Sequence, residues 1–160
     1  MKQRDIKDIR PYREDDHDVI IGLATRLAIG IAPWRSAKGM IAAAHGWVET
    51  AVVGIGEDQA IFVAEDTSGA VVGFVSVAKQ REFTGEDQAY IGELVVDASA
   101  EGMGIGQRLL ATVESWAIER GLPLLVLDTG AANGRARRFY ERNGFLEESV
   151  RLTKQTVVLK

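Results

Sequence analysis

Apolar residues recur at two different spacings along the first half of the chain. At residues 19–29 and 40–53 they return every three or four positions, which is typical of amphipathic helices. Residues 60–64 and 70–78 are instead rich in Val, Ile and Phe and are joined by the polar stretch "EDTSG". They predict a β-hairpin, and a further strand at 90–96 extends it to a three-stranded antiparallel meander.

The helical spacing returns after a glycine-rich stretch at residues 102–106. Apolar residues recur at helical positions from Ile105 to Ala117, and Gly121 is placed to end this helix. The stretch "LPLLVLD" at 122–128, apolar up to Asp128, is typical of a buried strand beside a helix. Residues 134–142 then predict a second, shorter helix.

Strands are also predicted near both ends of the chain. Residues 6–12 predict a first strand, which Pro11 confines to a sheet edge because proline cannot donate a ladder hydrogen bond. Residues from 145 onward, with alternating polar and apolar positions at 153–159, predict a closing β-hairpin. Together these elements predict one domain over residues 1–160, of mixed α/β class.

The stretch "EGMGIGQRLL", residues 101–110, places three glycines where a helix begins. It does not fit a dinucleotide-binding fingerprint, because Gln107 stands where the third glycine is needed, and it lacks the Lys-Ser/Thr pair of a Walker loop. Free N–H groups at a helix start, approached closely through glycines, suit an anion such as a pyrophosphate. A tight loop whose glycines serve only turns and packing fits the spacing equally well.

The amino-acid composition excludes several kinds of site and partner. The 160 residues include no cysteine, so disulfides and a cysteine nucleophile are excluded, and a cytoplasmic location is expected. A net charge of −4 argues against a nucleic-acid partner. The polar residues 1–20 predict no signal peptide, and no apolar run suits a membrane span. His17 and His45 are far apart in sequence, so we expect no metal site.

Two separated motifs resemble those of the GNAT superfamily of acetyl-coenzyme A-dependent N-acetyltransferases. The resemblance covers residues 90–145, and the order of strands and helices agrees with it over the whole chain. It implies a GNAT-like fold, with a mixed, mostly antiparallel sheet of six to seven strands flanked by about four helices. The matching residues are Val96-Asp97, Gly102-Met103-Gly104-Ile105-Gly106, Asn133, Ala136, Phe139-Tyr140 and Gly144-Phe145.

The resemblance also implies which residues bind acetyl-coenzyme A. The strand end would offer backbone groups to the pantetheine arm, and the glycine-loop amides would bind the pyrophosphate. Asn133 would contact the cofactor with its side chain, and Arg137 lies on the same helix face; Asn133 also suits a helix N-cap. The strand and loop residues are Leu94, Val95, Val96, Gly102, Met103, Gly104, Ile105, Gly106 and Gln107.

Tyr140 and Glu93 are the catalytic candidates that the resemblance implies. Tyr140 would protonate the leaving thiolate, since a tyrosine hydroxyl can donate at short range; otherwise it is a half-buried ring beside Phe139. Glu93 interrupts an apolar strand and would act as a general base or contact the substrate, although a structural ion pair is the other reading. A backbone N–H near Val95 would polarise the carbonyl.

The implied reaction is direct attack of a primary amine on acetyl-coenzyme A in a ternary complex, which needs no enzyme nucleophile. Trp34 would line the acceptor site for a small cationic amine, an antibiotic or a peptide amine. A homodimer through residues 153–159 is possible. A non-catalytic acetyl-coenzyme A-binding sensor is the alternative function, and a small protein-interaction domain is a third.

The sequence departs from the family pattern at two positions in the loop. Glu101 stands where Gln or Arg is usual, and Ala98 stands where Pro is common. A carboxylate beside a pyrophosphate is unfavourable unless it faces away, so we expect Glu101 to point into solvent.

Overall fold

Five strands and four α-helices make up the computed structural model, which describes residues 5–157. The strands are β1 (Ile6–Pro11), β2 (Gln59–Asp66), β3 (Val71–Arg81), β4 (Asp87–Val96) and β5 (Leu125–Leu127). The helices are α1 (His17–Ala24), α2 (Ala37–Val53), α3 (Ile105–Glu119) and α4 (Gly134–Arg142).

The strands form one sheet in the order in which they occur in the chain. β1 to β4 are antiparallel neighbours, and β5 is parallel to β4 after the α3 crossover. The β4–β5 pairing spans only three positions and stops at Ile91 opposite Leu127. Residues 92–96 of β4 therefore have no strand partner on that side within the described chain, and the two strands leave an opening between them.

A β-bulge in β4 lies beside this opening. Val75 pairs with Leu94 and Val77 with Ile91, so Gly92 and Glu93 together oppose the single residue Ser76. A Cβ atom on Gly92 would lie 2.8 Å from the Ser76 Oγ, which explains the glycine. The bulge changes the direction of the strand just before the residues that border the opening.

Apolar cores fill both faces of the sheet. On one face Phe74, Val63 and Val95 pack with α1 and α2, and on the other Val75 and Leu109 belong to the core around α3. Burial of each such side chain contributes about 1.5–3 kcal/mol. Ser36 and Asn133 cap α2 and α4 by accepting hydrogen bonds from backbone N–H groups.

The structure confirms the mixed α/β class and corrects several boundaries. The first helix ends at Ala24 and continues as a 3₁₀ turn, Thr25–Ala28, instead of reaching residue 29. Strands β3 and β4 are longer than predicted and leave a short loop between Arg81 and Asp87. β5 covers three residues of the apolar run at 122–128, in which Pro123 lacks an N–H donor.

The closing hairpin is the prediction that fails within the described residues. No strand forms at residues 145–157, and residues 158–159 of the predicted hairpin lie outside the described chain. The sheet accordingly has five described strands instead of six to seven. Alternation makes a segment suitable for a strand, but a strand also needs a partner for its backbone groups.

Candidate functional site

The glycine-rich loop joins β4 to α3 beside the opening between β4 and β5. Gly102 and Gly104 have positive φ angles of 77° and 75°, a conformation that favours glycine. Gly104 is the N-cap of α3, and no side chain caps this helix start. The 15-residue helix α3 therefore begins with backbone N–H groups that can bind an anion.

The third glycine of the loop serves packing. A Cβ atom on Gly106 would lie 3.3 Å from the Phe139 ring and 3.9 Å from Val96. Glycine at this position therefore lets α4 approach the start of α3. Ile105 is fully buried, so only its backbone is available to a ligand.

Asn133 connects three segments at the start of α4. Its Oδ1 accepts a hydrogen bond from the Ala136 N–H at 3.3 Å, which confirms the N-cap interpretation. Its Nδ2 donates to the Ile29 carbonyl at 3.5 Å. Gly30 lies so close that a Cβ atom there would be 2.7 Å from the Asn133 Cβ. The connection between α1 and α2 thus rests directly on the start of α4.

Tyr140 lies on α4 with its ring between two phenylalanines. The ring centroids are 5.2 Å from Phe139 and 5.5 Å from Phe145, both in edge-to-face arrangements. Burial raises the pKa of Tyr140 to about 12, so the hydroxyl is protonated at neutral pH. Within residues 5–157 no hydrogen bond engages this hydroxyl, and its proton is available to a ligand.

Glu93 is a buried carboxylate in the β4 bulge, and its residue is only 5% exposed. Its backbone N–H donates to the Ser76 Oγ at 3.0 Å, and the Ser76 hydroxyl donates to the Glu93 carboxylate. Burial raises the pKa of Glu93, and the hydrogen bond from Ser76 partly opposes that rise. A carboxylate of raised pKa is a better general base than an ordinary surface glutamate.

The sequence profile of the acetyltransferase (GNAT) family matches residues 32–145. The chain belongs to this family. The expected resemblance to this family is thereby confirmed.

Individual relatives agree with the family assignment. An aminoalkylphosphonate N-acetyltransferase of Salmonella typhimurium is 38% identical over 90 residues, which cover 54% of this chain and 57% of that protein. An N-acetyltransferase of Bacillus subtilis is 31% identical over 93 residues, which cover 58% of this chain and 62% of that protein. The matches thus span less than two thirds of these curated relatives.

A solved structure confirms the fold. A putative acetyltransferase from Pyrococcus furiosus has a TM-score of 0.75 at 24% identity, over 92% of this chain and 98% of that one. The fold of this GNAT chain is therefore shared along nearly its full length.

Glu101, the departure from the family pattern, does not point freely into solvent as expected. Its carboxylate accepts a hydrogen bond from Arg135 Nη1 at 2.7 Å and a second from Arg26 Nη2. Arg26 lies in the 3₁₀ turn after α1, and Arg135 lies in the first turn of α4. Two guanidinium groups and one carboxylate therefore leave a net positive charge next to the glycine loop.

Two predicted binding residues of this GNAT chain are not brought into the opening. Arg137 donates to the Glu147 carboxylate and, at 3.5 Å, to the Ala131 carbonyl. Trp34 is exposed in the connection between α1 and α2. Their contacts with a ligand remain predictions.

Sequence reasoning missed a polar pair at the base of the opening. The Tyr90 hydroxyl donates to Asp128 Oδ2 at 2.6 Å, joining β4 to the residue that follows β5. Burial, Asp128 and then Glu93 raise the pKa of Tyr90, so this hydroxyl stays protonated. The available signal was Asp128 itself, an acid directly after a strand predicted to be buried and parallel, where ligands bind in α/β sheets.

The described residues show neither a metal-ligand cluster nor a membrane-spanning helix. In residues 5–157 no group of three or more His, Cys, Asp or Glu is arranged to hold a metal. His17 contacts Glu49, and His45 contacts Thr25. None of the helices described is long and apolar enough to span a bilayer.

Proposed function

We propose that this chain transfers an acetyl group from acetyl-coenzyme A to a primary amine by direct attack in a ternary complex. The observation that carries the proposal is the early end of the β4–β5 pairing at Ile91. It leaves backbone groups of β4 free in an opening that has the uncapped start of α3 at one side. Glu93 lies within this unpaired part of β4, and Tyr140 lies on α4.

Backbone groups hold the acetyl donor in this proposal. Leu94, Val95 and Val96 offer N–H and C=O groups to the pantetheine arm, and the amides of residues 102–107 bind the diphosphate. Asn133 keeps its capping role and presents its Nδ2 to the cofactor. An aminoglycoside N-acetyltransferase solved in complex with CoA shares the fold, with a TM-score of 0.68 at 19% identity over 98% of this chain and all of that one.

The proton inventory of the reaction assigns one role to each catalytic side chain. Glu93 accepts a proton from the bound ammonium, and the resulting amine attacks the thioester carbonyl. A backbone N–H near Val95 stabilises the oxyanion. The C–S bond then breaks, Tyr140 protonates the sulfur, and the proton lost from the new amide nitrogen restores Tyr140 through solvent.

The raised pKa of Tyr140 is compatible with this acid role. An ordinary thiol has a pKa of about 8.5, well below the value of about 12 that burial gives Tyr140. The thiolate forms in the same poorly solvated opening, and desolvation raises its pKa in the same direction. The pKa values of the proton donor, Tyr140, and of the proton acceptor, the thiolate, are therefore raised together.

A small cationic amine is the proposed acceptor. The Salmonella relative is named for aminoalkylphosphonates and the CoA complex for aminoglycosides, both of which are amines. Glu93 and Asp128 place carboxylates at the acceptor side of the opening, and Trp34 would line its outer wall. A cytoplasmic location and the lack of nucleic-acid or membrane partners remain predictions from the sequence.

Two measurements test the proposal. Acetyl-coenzyme A should raise the melting temperature of the chain, and an amine panel should release free thiol. Tyr140→Phe should keep the thermal shift but lower kcat by about 10²–10⁴-fold. Binding without turnover of any amine would favour the non-catalytic sensor, and absence of binding would favour an interaction domain. Full turnover by Tyr140→Phe would remove the acid role.

A further inference from the structure

Helix α4 begins with a concentration of positive charge. Three of its first five residues are arginines, although the helix dipole makes cations unfavourable at a helix start. These residues are Arg135, Arg137 and Arg138. The chain as a whole is acidic, with a net charge of −4. Cations concentrated at an unfavourable place on an acidic protein indicate that an anion compensates them.

Two of the three guanidinium groups have carboxylate partners within the chain. Arg135 donates to Glu101 at 2.7 Å, and Arg137 donates to the Glu147 carboxylate. The side chain of Arg138 makes no hydrogen bond or ion pair within residues 5–157. Arg138 is therefore the cation at this helix start that is available to a ligand.

The Arg138 side chain extends back toward the first residue of α4. A Cβ atom on Gly134 would lie 3.2 Å from the Arg138 Nη1, so glycine at this position leaves room for the guanidinium. Gly134 directly follows Asn133, the N-cap of α4, whose side chain is the proposed cofactor contact. The charge of Arg138 thus lies at the same helix start as Asn133.

A second arginine without a partner lies on the neighbouring helix. Arg108 is exposed in the first turn of α3, and its side chain also lacks a polar partner in the part of the chain that the structure describes. The two helices meet close by, since a Cβ atom on Gly106 would lie 3.3 Å from the Phe139 ring. Phe139 directly follows Arg138 in the sequence. Both guanidinium groups therefore belong to the helices that lie beside the glycine loop.

We infer that Arg138, supported by Arg108, binds the 3′-phosphate of acetyl-coenzyme A and makes the chain prefer coenzyme A to its 3′-dephospho form. This inference rests on the proposed function, in which the loop amides bind the diphosphate. Coenzyme A carries a further phosphate, a monoester on the ribose, whose charge at neutral pH is about −1.5 to −2. A guanidinium binds a phosphate through two parallel hydrogen bonds, and the bound anion compensates the cation at the start of α4.

A general attraction between the arginines and any polyanion predicts a different result. The field of Arg138 would then strengthen the binding of both forms of the cofactor, since both carry the diphosphate. A direct contact acts on one form alone, because the 3′-dephospho form has no monoester for Arg138 to bind. Comparing the two forms in matched variants therefore distinguishes contact from attraction.

Calorimetry with coenzyme A and 3′-dephospho-coenzyme A tests the contact without measuring turnover. The unsubstituted chain should bind coenzyme A about 10- to 100-fold more tightly, as expected for hydrogen bonds between charged groups. Arg138→Gln should remove most of this preference by weakening the binding of coenzyme A alone, and Arg108→Gln should remove part of it. Arg142→Gln is the matched control, since Arg142 is exposed in the last turn of the same helix and should leave both affinities unchanged.

The outcomes of this experiment separate the 3′-phosphate contact from the proposed function. Equal affinities of the unsubstituted chain for the two forms would overturn the contact and leave acetyl transfer intact. An equal loss of affinity for both forms in Arg138→Gln would assign Arg138 to general attraction and would also overturn the contact. Binding of neither form would overturn the proposed function and this inference with it.

Phosphorus NMR observes the bound monoester directly, because its resonance is separate from those of the diphosphate. A neighbouring guanidinium stabilises the dianion, so the monoester pKa of about 6 should fall when coenzyme A binds to the unsubstituted chain. In Arg138→Gln the bound monoester should titrate close to its value in the free cofactor. A monoester that titrates alike in the free cofactor and in the complex with the unsubstituted chain would refute the contact.

Discussion

At the scale of single residues, the Ser76–Glu93 contact should determine the pH at which Glu93, the proposed general base, titrates. The base must be deprotonated, so kcat/KM falls as pH drops below the pKa of Glu93. Burial already raises this pKa, and the Ser76 hydroxyl lowers it. Ser76→Ala should therefore move the acidic limb of the kcat/KM profile to higher pH while leaving the plateau nearly unchanged.

Glu93→Gln is the companion variant to Ser76→Ala. It should abolish that limb and lower kcat/KM by about 10²–10⁴-fold, the usual contribution of a general base. If Ser76→Ala left the limb in place while Glu93→Gln removed it, Ser76 would not tune the base. If both variants kept the limb, the base would be another group.

The Arg26–Glu101–Arg135 cluster should affect the affinity for acetyl-coenzyme A. Arg26→Gln removes the net positive charge beside the glycine loop and should weaken binding by about three- to ten-fold, as expected for a partly exposed charge. Glu101→Gln should tighten binding by a similar factor. The double variant should return close to the unsubstituted affinity, because it restores the net charge of the cluster.

Calorimetry at two salt concentrations checks the charge cluster, since high salt should reduce all of these differences. Arg35→Gln, a change of the same kind in the exposed connection between α1 and α2, serves as the control. Equal affinities for the unsubstituted chain and Arg26→Gln at low salt would show that Arg26 does not act on the cofactor.

Some of these site residues could be predicted from the local sequence, and others could not. Tyr140, Glu93 and the loop glycines lie in short motifs whose spacing is visible in the chain. The Arg26–Glu101 and Tyr90–Asp128 contacts join residues 75 and 38 positions apart. Only the packing of the 3₁₀ turn after α1 against the glycine-rich loop, and of β5 against β4, brings these residues together, and no local sequence pattern predicts such contacts.

At the scale of elements, Gly30 brings the connection between α1 and α2 against the start of α4. Its φ of 75° disfavours other residues, and a Cβ atom would lie 2.9 Å from the Asn133 Cα. Gly30→Ala should therefore combine backbone strain of about 1–2 kcal/mol with a displacement of Asn133. We expect a lower melting temperature together with weaker acetyl-coenzyme A binding.

Gly69→Ala separates these two effects. Gly69 has a φ of 87° in the turn between β2 and β3, and a Cβ atom there would meet nothing within 4 Å. The variant should lose stability through backbone strain alone and keep its affinity for acetyl-coenzyme A. Equal affinities in both variants would mean that the Gly30–Asn133 contact does not support the cofactor site.

Periodicity located most elements because each buries one face against the sheet. It identified the apolar face of α3, which packs into one core, and the β2–β3 hairpin, whose apolar residues reach both cores. Periodicity failed where strand formation depends on a neighbouring strand. The residues after Phe145 have strand-like alternation but no strand beside them in the described chain, and Pro123 shortens β5 within an apolar run that looked longer.

At the scale of the whole molecule, a charge network joins β1, β2 and the start of α1. Arg10 binds Asp16 through two hydrogen bonds of 2.8 and 2.9 Å and Glu65 through one of 2.6 Å. The Arg13 N–H donates to Asp16 at 2.8 Å. Arg10 lowers the pKa of Asp16, and burial opposes this effect. The contacts connect segments that are far apart in sequence, so their loss affects global stability.

Asp16→Asn should lower the melting temperature at neutral pH by about 10 °C, since breaking a buried ion pair costs about 3–5 kcal/mol and each kcal/mol shifts the midpoint by about 2–4 °C. Because the pKa of Asp16 is lower in the folded state, its stabilisation is complete above the unfolded pKa of about 4 and is lost as pH falls through the folded value. The difference in melting temperature between the two proteins should therefore shrink in acid.

Asp15→Asn removes the same charge from an exposed neighbour and should change the melting temperature little at any pH. A difference that persisted undiminished at acid pH would assign the effect to packing at Asp16 and not to its charge.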